Sequence, residues 1–298
     1  MIVEIVNKRF ENAYHLGKTP KVDCIVTSPP YNIKVSYEGV DDNLLFEQYA
    51  ALFETWLSLM KDSLKPDGHL FLNYGFKSSE QWKLPWLTSL LRHQFTIQNT
   101  IIWVKSIIVP GFDYCDPNPD CTLGHCKPVN SDRYLNNLHE FVFHLTPEGH
   151  SPLEKRHPAV GVPYSDPSNI SRFQQPNRRV YVNSDHVANQ PLRDRGNVWF
   201  IPYVTKQAAS GHPCPFPEQL VAQCLALANV GPGSVVMDPF CGVGTVGLVA
   251  LDFESACPGR MPITFIGIEA SQPYAKTAVV EILAKDDLYQ YLKEKNNV

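Results

Sequence analysis

The sequence predicts an α/β fold, a mostly parallel sheet with helices on both faces and one irregular inserted region. Three observations lead there. Short apolar runs such as Val22-Asp23-Cys24-Ile25-Val26 and Ser234 to Met237 have the length and β-branched content of buried parallel strands. Between such runs lie stretches with helical spacing, the longest from Leu44 to Leu64, where Leu45, Tyr49, Leu52, Phe53, Trp56, Leu59, Met60 and Leu64 recur. Two of the strands also run straight into loops whose residues suit a ligand at the carboxyl edge of an open sheet.

Taken in order, Ile2 to Val6 alternates as a strand, with Asn12 near the turn after it. Strand 22–28 comes next. The long helix is closed by Lys65-Pro66-Asp67-Gly68, and His69 to Tyr74 reads as a strand. Residues 79–93 read as a helix, and Phe95 to Val104 and Glu140 to Leu145 as neighbouring strands at one end of the sheet. Regular patterning resumes after 215: a helix from about Pro217 to Leu227, a turn at Gly231-Pro232-Gly233, strand 234–237, a helix from Thr245, strand Thr264 to Ile268 and a helix from Tyr274 to Lys285. The last dozen residues are polar and expected to fray.

Composition bounds the function. The 298 residues suffice for one large α/β domain with an insertion, and 44% hydrophobic with 19% charged residues is ordinary for a globular chain. A net charge of −4 gives no whole-molecule attraction to nucleic acid, so contact with it would need a local basic face. No apolar run is long enough to span a membrane, and Met1-Ile2-Val3-Glu4 has no basic region ahead of an apolar stretch, so a cytoplasmic location is expected. The eight scattered cysteines read as reduced thiols. Cys115, Cys121, His125 and Cys126 could in principle ligate zinc, but they lack a C-x-x-C pair, and no metal is expected.

The first loop of interest is Thr27-Ser28-Pro29-Pro30-Tyr31-Asn32-Ile33. Two consecutive prolines end the strand ladder, because neither has an N–H to donate and each fixes φ. A hydroxyl, backbone carbonyls and an aromatic ring are thereby held in one rigid elbow. The oxygens can accept hydrogen bonds from an amino group while the Tyr31 ring stacks on a flat heterocycle. Taken alone, S-P-P-Y could equally be a loop that merely stops a strand.

The second loop, Asp238-Pro239-Phe240-Cys241-Gly242-Val243-Gly244-Thr245, links a strand to a helix N-terminus, a mould for a nucleotide-like ligand. Gly242 and Gly244 would let the backbone approach that ligand, and Glu269 ends the following strand, where a carboxylate can accept both ribose hydroxyls. Gly242, Gly244 and Gly247 also spell G-x-G-x-x-G, which alone suggests NAD. Against NAD, Asp238 and Phe240 stand where a sulfonium or amino-acid moiety would lie, and nothing resembles a hydride-transfer site.

The S-P-P-Y early and the D-P-F-C-G-V-G-T late resemble the S-adenosylmethionine-dependent amino-methyltransferases of DNA. The order, catalytic motif first and cofactor motif last, resembles that of the β group. Ile101 to Lys105, Asn136 to Phe141, Gly196 to Trp199 and His212 to Leu220 are similar to other family segments. The resemblance implies a Rossmann-like methyltransferase fold with a catalytic half at 1–145, a target-recognition region at 146–200 and a cofactor-binding half at 201–298. It implies catalytic roles for Ser28, Pro29, Pro30 and Tyr31, with Ser28 a hydrogen-bond acceptor rather than a covalent nucleophile. It further implies S-adenosylmethionine contacts from Asp238, Pro239, Phe240, Gly242, Gly244, Thr245, Glu269, Phe216 and Asn12. Near the adenine ring of the cofactor, many members carry Gly-Asp where this chain has Glu11-Asn12.

Residues 146–200 hold seven basic side chains against five acidic ones, interleaved with Tyr164, Phe173 and Tyr181. Arg172, Arg178, Arg179, Arg193 and Arg195 are the expected DNA contacts. The partner implied is double-stranded DNA, with a cognate restriction endonuclease acting independently and the enzyme a monomer or homodimer. Within the family S-P-P-Y goes mostly with N4 of cytosine and D-P-P-Y with N6 of adenine, so cytosine N4 is favoured and adenine N6 stays open. RNA or a protein amide as acceptor, or a non-catalytic DNA-binding module, are the remaining alternatives.

Overall fold

The computed structural model describes residues 1–13, 21–35, 41–106, 132–135, 137–155, 157, 162–163, 192–193, 195–202, 217–256 and 261–296, with the backbone alone at 106, 162–163, 192–193 and 290–296. The first half of the chain contributes β1 (Ile2–Asn7), the helical turn α1 (Phe10–Ala13), β2 (Val22–Thr27), α2 (Phe46–Ser63), β3 (Leu64–Tyr74), α3 (Lys83–Gln94), β4 (Thr96–Ser106) and β5 (His139–Thr146). Two short strands, β6 (Val162–Pro163) and β7 (Leu192–Arg193), pair with each other, and β8 (Val198–Pro202) rejoins the main sheet. The C-terminal part supplies α4 (Glu218–Leu227), β9 (Val235–Asp238), α5 (Thr245–Ala256), β10 (Thr264–Glu269) and α6 (Gln272–Asn296).

Eight strands form one sheet in the order β1-β10-β9-β2-β3-β5-β4-β8. Only β5 runs antiparallel to its neighbours; every other pairing is parallel. The central strands are covered on both faces, so their apolar runs divide residue by residue between two cores. Cys24, Val26, Phe71 and Val236 pack on the face covered by α4, α5 and α6. Ile25, Leu70, Leu72 and Met237 pack on the other face, against α1, α2 and α3. On α2 the buried stripe is Tyr49, Phe53, Trp56, Leu57 and Met60, the period that the sequence displays. Each such side chain contributes roughly 1.5–3 kcal/mol by leaving water. Among the described residues no helix is long and apolar enough to cross a membrane.

Two expectations are corrected. The turn expected at Lys65-Pro66-Asp67-Gly68 is a bulge within β3, because pairing with β2 steps from Val22↔Leu64 to Cys24↔His69 and leaves these four residues opposite Asp23. Lys65 Nζ donates to Asp23 Oδ1 at 2.6 Å and holds the bulge to β2. At the other end of the chain, α6 continues to Asn296 instead of fraying over the last dozen residues. The cluster Cys115, Cys121, His125 and Cys126 lies outside the described residues, whereas Cys24, Cys224 and Cys241 are buried free thiols.

His69 and His144 form a buried pair on the facing strands β3 and β5. Asn99 Nδ2 donates to His144 Nδ1 at 3.0 Å, so neutral His144 carries its proton on Nε2 and donates to His69 Nδ1, also at 3.0 Å. Phe71 stacks on His144 with ring centroids 4.7 Å apart. Burial, with His69 beside it, holds the His144 imidazole down to about 3, and burial lowers His69 as well. The unfolded chain protonates at each histidine near the ordinary 6.5 while the native pair stays neutral. The pair's stability contribution is therefore intact above that pH and lost below it, by up to about 1.4 kcal/mol per pH unit for His144. Urea unfolding of the wild type and His144→Phe at about pH 7.5 and about pH 5 tests this. The wild type should lose more stability than the variant over that interval; equal losses would contradict the assignment.

Candidate active site

The two motif-bearing loops leave adjacent strands. Cys24 pairs with Val236 and Ile25 with Met237 in parallel register, so β2 and β9 deliver their carboxyl ends side by side. The helices that follow them, α2 and α5, cover opposite faces of the sheet. At such a divergence open α/β sheets bind their ligands. Across it Thr27 Oγ1 donates to Asp238 Oδ1 at 2.7 Å, joining residues 211 positions apart. Both partners are buried. Phe240 N–H donates to the same carboxylate oxygen at 3.1 Å. Burial still prevails and pushes the Asp238 carboxyl up to about 7; the Thr27 and Phe240 hydrogen bonds lower it and Glu269 raises it further.

The elbow itself is held from below. Asp42 accepts the backbone N–H groups of Asn32 (2.7 Å), Ile33 (3.1 Å) and Val35 (2.9 Å), a turn that carries Asn32 into the left-handed region at φ 55°. Buried Lys83 donates to the carbonyls of Tyr31 and Asn32, each at 3.1 Å, and pairs with Glu80 at 2.9 Å. Tyr49 Oη donates to the Pro30 carbonyl at 2.8 Å. Of the carbonyls from Pro29 to Asn32, only that of Pro29 has no donor bound among the described residues.

Ser28 and Tyr31 face one another, with Ser28 Oγ and Tyr31 Oη 2.6 Å apart. The Tyr31 ring lies tilted against Tyr74, centroids 4.9 Å apart. Asn73 Nδ2 donates to Tyr31 Oη at 2.6 Å and to Glu140 Oε2 at 2.7 Å. Tyr31 Oη lies 3.3 Å from the same Glu140 oxygen, and Lys105 Nζ pairs with Glu140 Oε1. A cavity of about 180 Å³ opens beside this carboxylate, walled by Tyr74, Phe76, Leu84, His139 and Phe141.

In the second loop, Gly242 (φ 53°) and Gly244 (φ 88°) take conformations that favour glycine. A Cβ on Gly244 would meet Ala278 Cβ at 2.9 Å, so this glycine also admits α6 against the turn. Glu269 accepts Gly242 N–H at 2.8 Å and Ser271 N–H at 2.7 Å, which orients its carboxylate; burial raises its pKa against those bonds. Pro239 is buried, and Thr245 is the first residue of α5. The half-buried Phe240 ring packs edge-on against Phe10 (5.9 Å) and Trp56 (4.8 Å). Asn12 is an exposed residue of α1, two positions beyond Phe10.

The fold therefore brings together Ser28, Pro29, Pro30 and Tyr31 with Asp238 to Thr245 and Glu269. Phe216, Arg172, Arg178 and Arg179 lie outside the described residues; Arg193 is placed by its backbone in β7, and Arg195 is half-buried just before β8. Sequence reasoning missed Asp42, Asn73 and Lys83, and it gave no role of their own to Thr27, Lys105 and Glu140, which it met only inside longer motifs. One signal was available for Asn73: an amide inside the apolar run Leu70 to Tyr74, at the carboxyl end of a strand, is out of place unless it has a partner.

Over residues 22–280 the chain matches the family model described as DNA methylase, of the N6/N4 type. It is 27% identical over 274 residues to the type II methyltransferase M.ScaI of Streptomyces caespitosus, covering 88% of this chain and 75% of that one. With the DNA adenine methyltransferase YhdJ of Escherichia coli K12 it shares 26% identity over 273 residues, covering 88% and 76%. Among solved structures, the cytosine-N4-specific PvuII DNA methyltransferase aligns with a TM-score of 0.60 at 14% identity, over 97% of this chain and 92% of that one. The complex of M1.HpyAVI with SAM aligns at 0.53 and 18% identity, over 94% and 100%. These structural likenesses bear on the fold, a mostly parallel methyltransferase sheet with helices on both faces, while the match that runs from β2 into α6 settles descent. The chain belongs to the N6/N4 DNA methylase family.

Proposed function

We propose that this chain transfers a methyl group from S-adenosylmethionine to the exocyclic amine of a base everted from duplex DNA, with cytosine N4 as the target. The observation that supports this reading best is the Thr27–Asp238 hydrogen bond, which joins the base of the elbow to the start of the glycine turn.

The donor set suits that cofactor. Asp238 is a buried carboxyl whose two bonds among the described residues both fall on Oδ1. A cationic amino-acid or sulfonium group nearby would draw it into the ionised form. Glu269 is oriented by two backbone N–H groups and keeps acceptor capacity for ribose hydroxyls. When bound, S-adenosylmethionine supplies an electrophilic methyl group on sulfur.

The remaining work belongs to the protein. An exocyclic amine is a weak nucleophile because its lone pair is delocalised into the ring. Ser28 Oγ and the unclaimed Pro29 carbonyl can accept its two N–H groups, favouring tetrahedral nitrogen and a localised lone pair. Tyr31 stacks on the base and offsets part of the few kcal/mol that eversion costs. Most of the rate enhancement then comes from orientation and fixed dipoles. Basic residues of 146–200, Arg193 and Arg195 among them, supply phosphate and base-edge contacts. A cognate endonuclease, where one exists, would read the same site independently.

Adenine N6 is the second reading, favoured by the relative named as a DNA adenine methyltransferase and by an elbow whose acceptors suit either amine. Nucleoside analysis of DNA methylated by the protein decides between the two, cytosine N4 being expected.

Tritiated methyl transfer to duplex DNA should fall at least about a hundredfold in Ser28→Ala, with cofactor affinity changed less than about threefold. Wild-type protein that binds cofactor yet transfers nothing to diverse genomic DNA would overturn the reading.

Cofactor affinity should also depend on pH. Asp238 titrates near 7 in the free protein, and a bound cation stabilises its ionised form, so binding releases a proton below that pH and tightens as pH rises through it. Calorimetry from about pH 6 to about pH 8 should show affinity rising up to about tenfold in the wild type and flat in Asp238→Asn. A flat wild-type profile would contradict the role given to Asp238.

A further inference from the structure

Behind the elbow, from the Ser28 Oγ that the methyl-transfer reading uses as an acceptor, runs a chain of polar groups that the reading leaves unused: Tyr31 Oη, Asn73, Glu140 and Lys105. We infer that Glu140 is the positioning residue that orients this chain and finally receives the proton shed by the methylated amine, acting through Tyr31 and Ser28. The inference rests on the amino-methyltransferase reading above and adds to it the destination of the proton.

Hydrogen-bond bookkeeping fixes the direction. Asn73 Nδ2 has two hydrogens and donates one to Tyr31 Oη and the other to Glu140 Oε2. Its amide cannot be turned round, because a carboxylate needs a donor. Asn73 Oδ1 is consequently left buried without a partner, a cost that the two donated bonds offset. With Asn73 donating to it, the Tyr31 hydroxyl has its own proton left to give, either to Ser28 Oγ at 2.6 Å or to Glu140 Oε2 at 3.3 Å. An ionised Glu140 attracts that proton. Ser28 then donates to Tyr31 Oη, and its lone pairs stay available to accept an amine N–H. A neutral side chain at 140 lets the Tyr31 proton turn to Ser28, which then competes as a donor where an acceptor is needed.

The same chain conducts the proton. As the amine nitrogen bonds to the methyl group, the electron pair of the broken carbon–sulfur bond stays on sulfur and the nitrogen becomes cationic. One N–H proton passes to Ser28 Oγ while the Ser28 proton passes to Tyr31 Oη and the Tyr31 proton to Glu140 Oε2. Charge balances: the positive charge brought by the sulfonium ends as a proton on a formerly ionised carboxylate. Glu140 borders the cavity walled by Tyr74, Phe76 and His139, through which that proton can leave.

The surroundings are built for this carboxylate. A Cβ on Gly75 would sit 2.9 Å from Glu140 Cδ, so glycine at 75 is what admits the carboxyl group. The groups facing Glu140 are Lys105 from β4, Asn73 from β3 and Tyr31 from the elbow, with Tyr74 and His139 along the cavity; the Glu80–Lys83 pair lies beneath the elbow.

Glu140→Gln in the full-length protein tests the inference. Single-turnover methyl transfer should drop at least about tenfold. With S-adenosylmethionine saturating at every pH, so that Asp238 makes no contribution, the acid limb of the wild-type rate profile should vanish in the variant, while cofactor affinity and urea midpoint stay close to wild type. Glu140→Gln/Lys105→Met, which removes the lysine left unpaired by the first change, serves where the single variant is unstable. A second readout needs no turnover: in protein with isotope-labelled tyrosine, the Tyr31 ring resonance should titrate with the carboxyl group in wild type and lose that titration in the variant. A rate within about threefold of wild type, or a slower rate with the acid limb and the Tyr31 titration unchanged, would overturn the inference. If wild-type protein methylates no DNA, the parent reading fails instead, and the Tyr31 titration still decides whether Glu140 governs the chain.

Discussion

Thr27 and Asp238 touch because β2 and β9 are hydrogen-bonded neighbours, and the candidate site depends on that adjacency. The two residues stand 211 positions apart in sequence. A hydroxyl donating to a buried carboxylate contributes about 1.5–3 kcal/mol when the acceptor is charged, and losing the donor leaves that acceptor short of a partner. This bond does more than stabilise. It fixes the orientation of Asp238, whose carboxyl burial pushes up to about 7 against the pull of this bond. Strand order follows the same logic: from β2 the sheet extends outward through β3, β5, β4 and β8, with β5 inserted between β3 and the earlier β4, and the chain then returns to the centre with β9. The first and last motifs of the sequence thereby become neighbours in space.

Rigidity of the elbow comes from the groups beneath it. Prolines remove N–H donors, and the carbonyls that remain must find partners where water is scarce. Lys83 takes two of them and Tyr49 a third, while Asp42 collects the N–H groups of the turn that follows. Among the described residues the Pro29 carbonyl is the one left without a donor. A loop held this way needs little reorganisation to present an acceptor to a substrate, and preorganised dipoles are where such sites gain most.

Most of the sheet was legible because strands buried on both faces write themselves as unbroken apolar runs, and α2 because its stripe is long and regular. The bulge at Lys65-Pro66-Asp67-Gly68 was not, since turn chemistry looks the same whether or not the flanking residues stay in the ladder. Within the site, Ser28, Tyr31, Asp238 and Glu269 stood out through glycine and proline punctuation around them. Glu140 and Lys105 did not. They lie on the strands β5 and β4, and their sequence spacing says nothing about meeting across a sheet. Asp42 was equally silent, because a carboxylate that collects backbone N–H groups resembles any surface acid until the turn is seen.

The most direct measurement of the shared crevice is a crystal structure of the protein with a non-reactive analogue of S-adenosylmethionine and a duplex carrying its target site. One crevice requires the everted base on the Tyr31 ring, its amine bonded to Ser28 Oγ and the Pro29 carbonyl, with the analogue's reacting group about 3–3.5 Å from that amine. An analogue seated away from Asp238 and Glu269, or a base bound out of reach of Ser28, would contradict it.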